Sequence, residues 1–243
     1  SYIMLGGKCY FCKEKISIQY PIVELFTMFL FGATFVKFGI DIKTIFVLFW
    51  LSCFVIMTGT DLKAKLVDCN IAIAMGVTGI LYNFIQHGVS GVIVSLIGLV
   101  LGAVVLELIA RSGYLVAGAR AMGEADTYVA AAIGAIVGKD ILFVLAYALI
   151  ASMIFIVPMF LYNQFKNDNK KTCILSILFV LAVMTFKLLW QNYWTLVVLV
   201  ITGAMLAISI LKNIKQEENR NYLPYVPALA VGALYYLFFS VNF

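Results

Sequence analysis

The chain has 243 residues, of which 64% are hydrophobic and only 12% charged, and its 17 lysines and arginines against 12 acids give a formal net charge of +5. That composition excludes a water-soluble globular domain, because apolar runs of about 20 residues recur, the length that crosses ~30 Å of hydrocarbon. An outer-membrane barrel would show alternating segments of about ten residues, whereas 21–40 and 90–110 are apolar on all sides.

Taken in chain order, the pattern predicts helices over Pro21–Ile40, Lys43–Gly59, Asn70–Gln86, Ser90–Ala110, Asp126–Val137, Ile141–Tyr162, Thr172–Leu188, Tyr193–Leu211 and Pro224–Val241. The expected fold is an all-α polytopic transmembrane bundle of about nine helices. The fifth is short and rich in small residues, as in a helix packed inside a bundle. Residues 1–20 read as a cytoplasmic, cysteine-containing segment left from a longer N-terminal region. Residues 21–162 read as the core, 163–222 as an inserted helix pair with polar loops, and 223–243 as a final helix of the core.

Alternating the loops between two sides puts 13 of the 17 basic residues on one side, and only Lys37, Lys43, Lys139 and Lys187 on the other. The positive-inside rule makes the first side cytoplasmic. The amino terminus is then inside and the carboxyl terminus outside, and the positive charge reflects topology, not nucleic-acid binding. No removable signal peptide is visible, so the spans themselves direct insertion. Cys53 and Cys173 fall in apolar spans and read as small buried hydrophobes. Cys9, Cys12 and Cys69 fall on the cytoplasmic side, where thiols stay reduced and a disulfide framework is not expected.

Two aspartates stand at the edges of apolar segments, on the same side. A carboxylate in hydrocarbon costs ~2.5–3.5 kcal/mol even on a lenient insertion scale, so such a pair points to function. Asp61 closes a helix within Gly59-Thr60-Asp61-Leu62-Lys63, where the C-terminal dipole disfavours negative charge. An interfacial aspartate paired with a nearby lysine is an equally good reading of that motif alone. Asp126 opens a helix after Met122-Gly123-Glu124-Ala125, where Gly123 can take backbone angles closed to other residues and Ala125 keeps the turn slim. A helix N-terminus favours an ionised carboxylate, though Glu124 and Asp126 also suit an ordinary helix start. Met122 and Tyr128 could line a cleft or simply pack.

Other acids have plainer readings. Glu24 lies inside an apolar span and could face a polar interior or the cytoplasmic mouth. Glu107 stands four residues before Arg111, the spacing of a helical ion pair. The single histidine, His87, follows an apolar span on the external side and is read as interfacial.

Several motifs in order resemble type IV prepilin peptidases: Cys9-Tyr10-Phe11-Cys12, the run Ile16–Leu25, Asp61-x-Lys63 with Val67, the turn Gly123-x-Ala125-Asp126, and Leu223-Pro224-Tyr225-Val226-Pro227-Ala228-Leu229-Ala230. The resemblance covers about four fifths of the chain. It implies an intramembrane aspartyl protease of a bacterial plasma membrane, with Asp61 and Asp126 as the catalytic pair and Met122, Gly123, Glu124 and Ala125 forming the active-site loop. It implies, as substrate, a prepilin or pseudopilin precursor whose basic leader lies in the cytoplasm and which is cut after a glycine. Proteolysis by this pair needs no cofactor. S-adenosylmethionine would enter only with retained N-methylation of the new terminus, and lipid is the other implied partner.

The sequence departs from the family at Asp68, where proline is usual, at Tyr128, where lysine is frequent, and in the inserted pair Thr172–Leu211. The first helix and first Cys-x-x-Cys of the bacterial pattern are not in the sequence. Cys9 and Cys12 have metal-ligand spacing, yet a closed structural zinc site takes four ligands. Zinc is therefore the lesser reading. A catalytically silent assembly subunit and a transporter are the alternatives, the latter expected to carry broken mid-membrane helices.

Overall fold

A computed structural model describes residue 2, residues 5–64, 66–117, 122–149, 151–152, residue 174 and residues 225–239. Apart from Ile174, the predicted pair Thr172–Leu211 lies outside the described residues, as do the ends of Ile141–Tyr162 and Pro224–Val241. The described chain is helical, with one isolated antiparallel bridge between Lys8 and Lys15.

Helix α1 spans Gln19–Phe38. Pro21 is tolerated in its first turn, where amide donors have no intrahelical partner. Thr27 and Thr34 turn their hydroxyls onto the carbonyls of Val23 and Leu30, each at 2.8 Å. Those bonds satisfy a polar group within an apolar surface. Gly39, at φ 67°, ends the helix with its N–H on the Phe35 carbonyl. Helix α2, Ile42–Ala64, starts immediately afterwards, and the Asp41 side chain accepts the Ile42 N–H at 2.7 Å.

Helix α3, Cys69–Ala117, is broken at Gly88, where φ is 62°. Asn83 Nδ2 donates to Ser95 Oγ at 2.8 Å. A straight helix would hold residues 12 apart at ~18 Å, so the chain doubles back at Gly88 into two antiparallel arms. These arms are the third and fourth predicted spans. The second arm runs on to Ala117, beyond the predicted end at Ala110. Asp68 caps the start of α3 through a 2.9 Å bond from the Asn70 N–H to Oδ1. A capping acid is thus seated where the related pattern carries proline.

Helix α4, Glu124–Val137, is the buried centre: Val129, Ala130, Ile133 and Ala135 are wholly enclosed. Small residues make this possible, since backbones can approach closely only where side chains are short. A Cβ on Gly98 would overlap the Gly134 carbonyl, and one on Gly102 would overlap that of Ala130. Asn83 adds bonds to the carbonyls of Ala135 and Ile136 at 3.1 and 3.0 Å. After a 3-10 turn, Gly138–Asp140, the helical stretch 141–149 returns alongside α4, because Gly102 abuts both Ala130 and Ile141. Helix α5, Val226–Phe239, fills the remaining side through Leu229 and Leu237. Trp50 of α2 is fully buried and bonds Thr78 on the first arm at 3.1 Å.

Four of the described helical stretches are long and apolar enough to cross a membrane: Gln19–Phe38, Ile42–Ala64, Cys69–Ser112 and Glu124–Leu149. Their outward faces carry Phe29, Val36, Leu62 and Leu108 in the open. So large an exposed apolar surface suits hydrocarbon, not water. The molecule is a multi-pass helical membrane protein. One end gathers Lys37, Lys43, Asp140 and the last turn of α5, where the Lys37 ammonium donates to the carbonyls of Leu237 and Phe238. A cation there complements the negative end of a helix. The other end holds Tyr20, with Lys63 over its ring, and both aspartates.

Candidate active site

Asp61 and Asp126 are each only 6% exposed, although both are carboxylic acids at helix ends. Asp126 is the third residue of α4, and its Oδ2 accepts the Gly123 N–H at 3.0 Å. This is half of a capping box; glycine has no side chain with which to return the bond. Both the bond and the positive end of α4 direct partial positive charge at this carboxyl group. Gly123 itself has φ −64° and ψ 155°, angles open to any residue, which corrects the sequence expectation of a special backbone conformation. Space is the better reason for glycine: a Cβ would stand 3.3 Å from Asp126 Oδ2.

Asp61 sits in the last turn of α2, as its position predicted, but it does not face the negative end of that helix alone. The first N–H of α5, that of Val226, donates to Asp61 Oδ2 at 3.2 Å. The positive end of one helix thereby offsets the negative end of another. Beside it, Tyr225 is 4% exposed, and Asp126 is near enough for its charge to act on the Tyr225 phenol. The N-terminus of α5 thus touches Asp61 through Val226 and approaches Asp126 through Tyr225.

A brace holds the start of α4 from the α3 side. Glu107 Oε1 accepts from Arg111 Nε at 2.7 Å, the predicted ion pair, and Oε2 accepts from Thr127 Oγ1 at 3.2 Å. Met122 is half-buried against the core, Ala125 is half-buried, and Glu124 and Tyr128 are exposed. Glu24 is exposed on α1, and His87 is exposed near the Gly88 turn. Cys53 is buried, as expected. Thr127 was not singled out from sequence, and Tyr225 and Val226 stood there only within the Leu223–Ala230 motif with no role of their own: the first two carry no formal charge, and Val226 acts only through its backbone.

The N-terminal segment forms a tight loop in which the Cys9 N–H bonds the Glu14 carbonyl at 2.8 Å and the Lys13 N–H bonds the Cys9 carbonyl at 3.1 Å. Hydrogen bonds from the Cys12 backbone and thiol, then from the Phe11 backbone, hold the Cys9 thiol below its usual pKa. Among the described residues no group of three or more His, Cys, Asp or Glu could hold a metal. Cys9 and Cys12 make at most half of a closed zinc site.

The fold and site define an integral membrane protein that presents two buried carboxyls at one end of a helical bundle. Two family descriptions match the chain: the bacterial peptidase A24 N-terminal domain over residues 1–38, and the type IV leader peptidase family over residues 46–161. The chain belongs to the type IV leader peptidase, or prepilin peptidase, family. Similar relatives include the prepilin leader peptidase/N-methyltransferase of Neisseria gonorrhoeae, 32% identical over 151 residues, which are 60% of this chain and 51% of the relative. That of Xanthomonas campestris pv. campestris is 33% identical over 139 residues, 56% of this chain and 47% of the relative. That of Pectobacterium carotovorum subsp. carotovorum is 30% identical over 142 residues, 57% of this chain and 49% of the relative. The chain spans about half the length of the curated relatives it matches. No solved structure matches it.

Proposed function

We propose that the chain is an intramembrane aspartyl endopeptidase that removes a leader from prepilin-like or pseudopilin precursors. The observation that carries this reading is the burial of Asp61 and Asp126 at one end of the bundle, with the N-terminus of α5 reaching towards both. In the proposed reaction Asp126 is the base and Asp61 the acid. Water adds to the scissile carbonyl carbon, Asp126 takes a water proton, and Asp61 gives its proton to the carbonyl oxygen. The tetrahedral diol then collapses: Asp126 protonates the leaving nitrogen while Asp61 recovers a proton from a diol hydroxyl. Both groups end as they began, and no cofactor takes part. Two carboxyls held near one another resist joint ionisation, which favours the one-proton state this cycle needs.

The substrate in this reading is a precursor with a short basic cytoplasmic leader, cut between glycine and the first residue of an apolar helix. The site end would face the cytoplasm of a bacterial plasma membrane. The excess of basic residues assigned to that side, 13 of 17, supports the orientation over the smaller group that includes Lys37 and Lys43 at the other end. Methylation of the new terminus, with S-adenosylmethionine as donor, is a separate activity carried in the relatives' names.

The test is cleavage of a prepilin-like precursor by the purified chain in detergent, followed by gel mobility and mass of the products. Asp61→Asn and Asp126→Asn should each lower the rate by about three orders of magnitude or more, as removal of a member of an acting pair does, with thermal unfolding unchanged within a few degrees. Cleavage at the full rate by either variant would sink the paired-carboxyl reading.

A further inference from the structure

Helix α5 has a tyrosine near each end, and the two differ in one respect. The Tyr236 hydroxyl donates to Asp140 Oδ2 at 2.5 Å, at the end away from the aspartate pair. The Tyr225 hydroxyl, at the site end, is buried and has no hydrogen-bond partner among the described residues. Buried hydroxyls are nearly always paired, so an orphan beside a reactive site calls for a reason. Packing alone does not supply one, since phenylalanine would fill the same space without an unsatisfied donor.

Position supplies the reason. Val226, the next residue, bonds Asp61 through its backbone. Asp126 is near enough for its charge to act on the phenol. The hydroxyl therefore belongs to the same end of the bundle as both carboxyls, one residue before the backbone donor to Asp61. We propose that Tyr225 is a further catalytic residue, whose hydroxyl donates a hydrogen bond to the scissile carbonyl oxygen as negative charge gathers there. This rests on the peptidase reading above. Asp61 approaches one lone pair of that oxygen and Tyr225 the other; the phenol keeps its proton throughout, so the proton balance of the cycle is unchanged. The bond it does not make among the described residues is made by substrate, and a preorganised donor of this kind needs no rearrangement at the moment of reaction.

Tyr225→Phe tests the assignment against wild type and Asp126→Asn in one assay, with kcat, KM and thermal unfolding measured for each. The expected result is a kcat about tenfold lower, the size of one hydrogen bond made chiefly in the transition state. KM should stay near wild type, and unfolding should occur at the same temperature or higher, because an unpaired buried hydroxyl has been removed. Wild-type kcat in Tyr225→Phe, with Asp126→Asn inactive, would overturn the role of Tyr225 and leave the aspartate pair standing. A loss of activity matched by a loss of stability would overturn it too, marking Tyr225 as structural. Failure of the wild-type protein to cleave would overturn both readings.

Discussion

The Val226 N–H donates to Asp61 Oδ2 at 3.2 Å, a bond that spans 165 positions of the chain. It brings the last described helix onto an acid of the second, and it sets one helix N-terminus against another helix's C-terminus. Val226 is the first residue of α5, a place where proline is tolerated because the missing N–H has no intrahelical partner. Val226→Pro should therefore remove this donor while leaving α5 formed. A hydrogen bond to a neutral carboxyl contributes ~0.5–1.5 kcal/mol, and cleavage is expected to fall by up to about tenfold. A proline variant that cuts at the wild-type rate would mean that α5 does not orient Asp61.

Close packing around α4 predicts a steep response to a single methyl group. Gly98→Ala forces a Cβ onto the Gly134 carbonyl, and overpacking of this kind costs ~1–3 kcal/mol. The unfolding temperature in detergent should drop by several degrees. Gly32 of α1, where an added Cβ meets nothing within 4 Å, is the control, and Gly32→Ala should show no loss.

Asp68 caps α3 beside the site without touching either aspartate in the described contacts. Loss of an N-cap costs ~1 kcal/mol. Asp68→Ala should lower stability by about that amount while cleavage per folded molecule stays within twofold of wild type. A large loss of kcat at full stability would instead give Asp68 a part in the reaction.

The Cys9 thiol is held below its ordinary pKa first by the Cys12 backbone N–H, then by the Cys12 thiol and the Phe11 backbone. Hydrogen bonds donated to a thiolate favour the charged form, so the thiolate appears at lower pH than in a free cysteine. Alkylation followed by mass spectrometry should place the midpoint of Cys9 labelling below the reference value of 9.0. Cys12→Ala removes the thiol donor but keeps the backbone one, and should move the midpoint only part of the way back.

Much of this was legible without coordinates because it depends on local composition. Apolar runs mark helices since each must hide its own backbone in lipid, and both arms of α3 were separated correctly on either side of Gly88. The Glu107–Arg111 pair followed from helical spacing. Burial of α4 followed from its small residues. The role assigned to Gly123 from sequence was the wrong kind: its backbone is ordinary, and what matters is the space next to Asp126. Spacing could not have shown that, because it depends on where a side chain three residues on turns back.

By itself, then, the sequence determined a bundle of lipid-embedded helices and two acids at helix ends, because hydropathy, helix period and dipole direction are properties of short stretches of chain. Only the tertiary structure decided what those acids meet. It gave Asp61 a backbone donor from 165 residues away at the start of α5, and left the neighbouring Tyr225 hydroxyl buried without a hydrogen-bond partner among the described residues. Those relationships arise from the packing of α2, α4 and α5 against one another, and packing brings together residues that no local pattern connects.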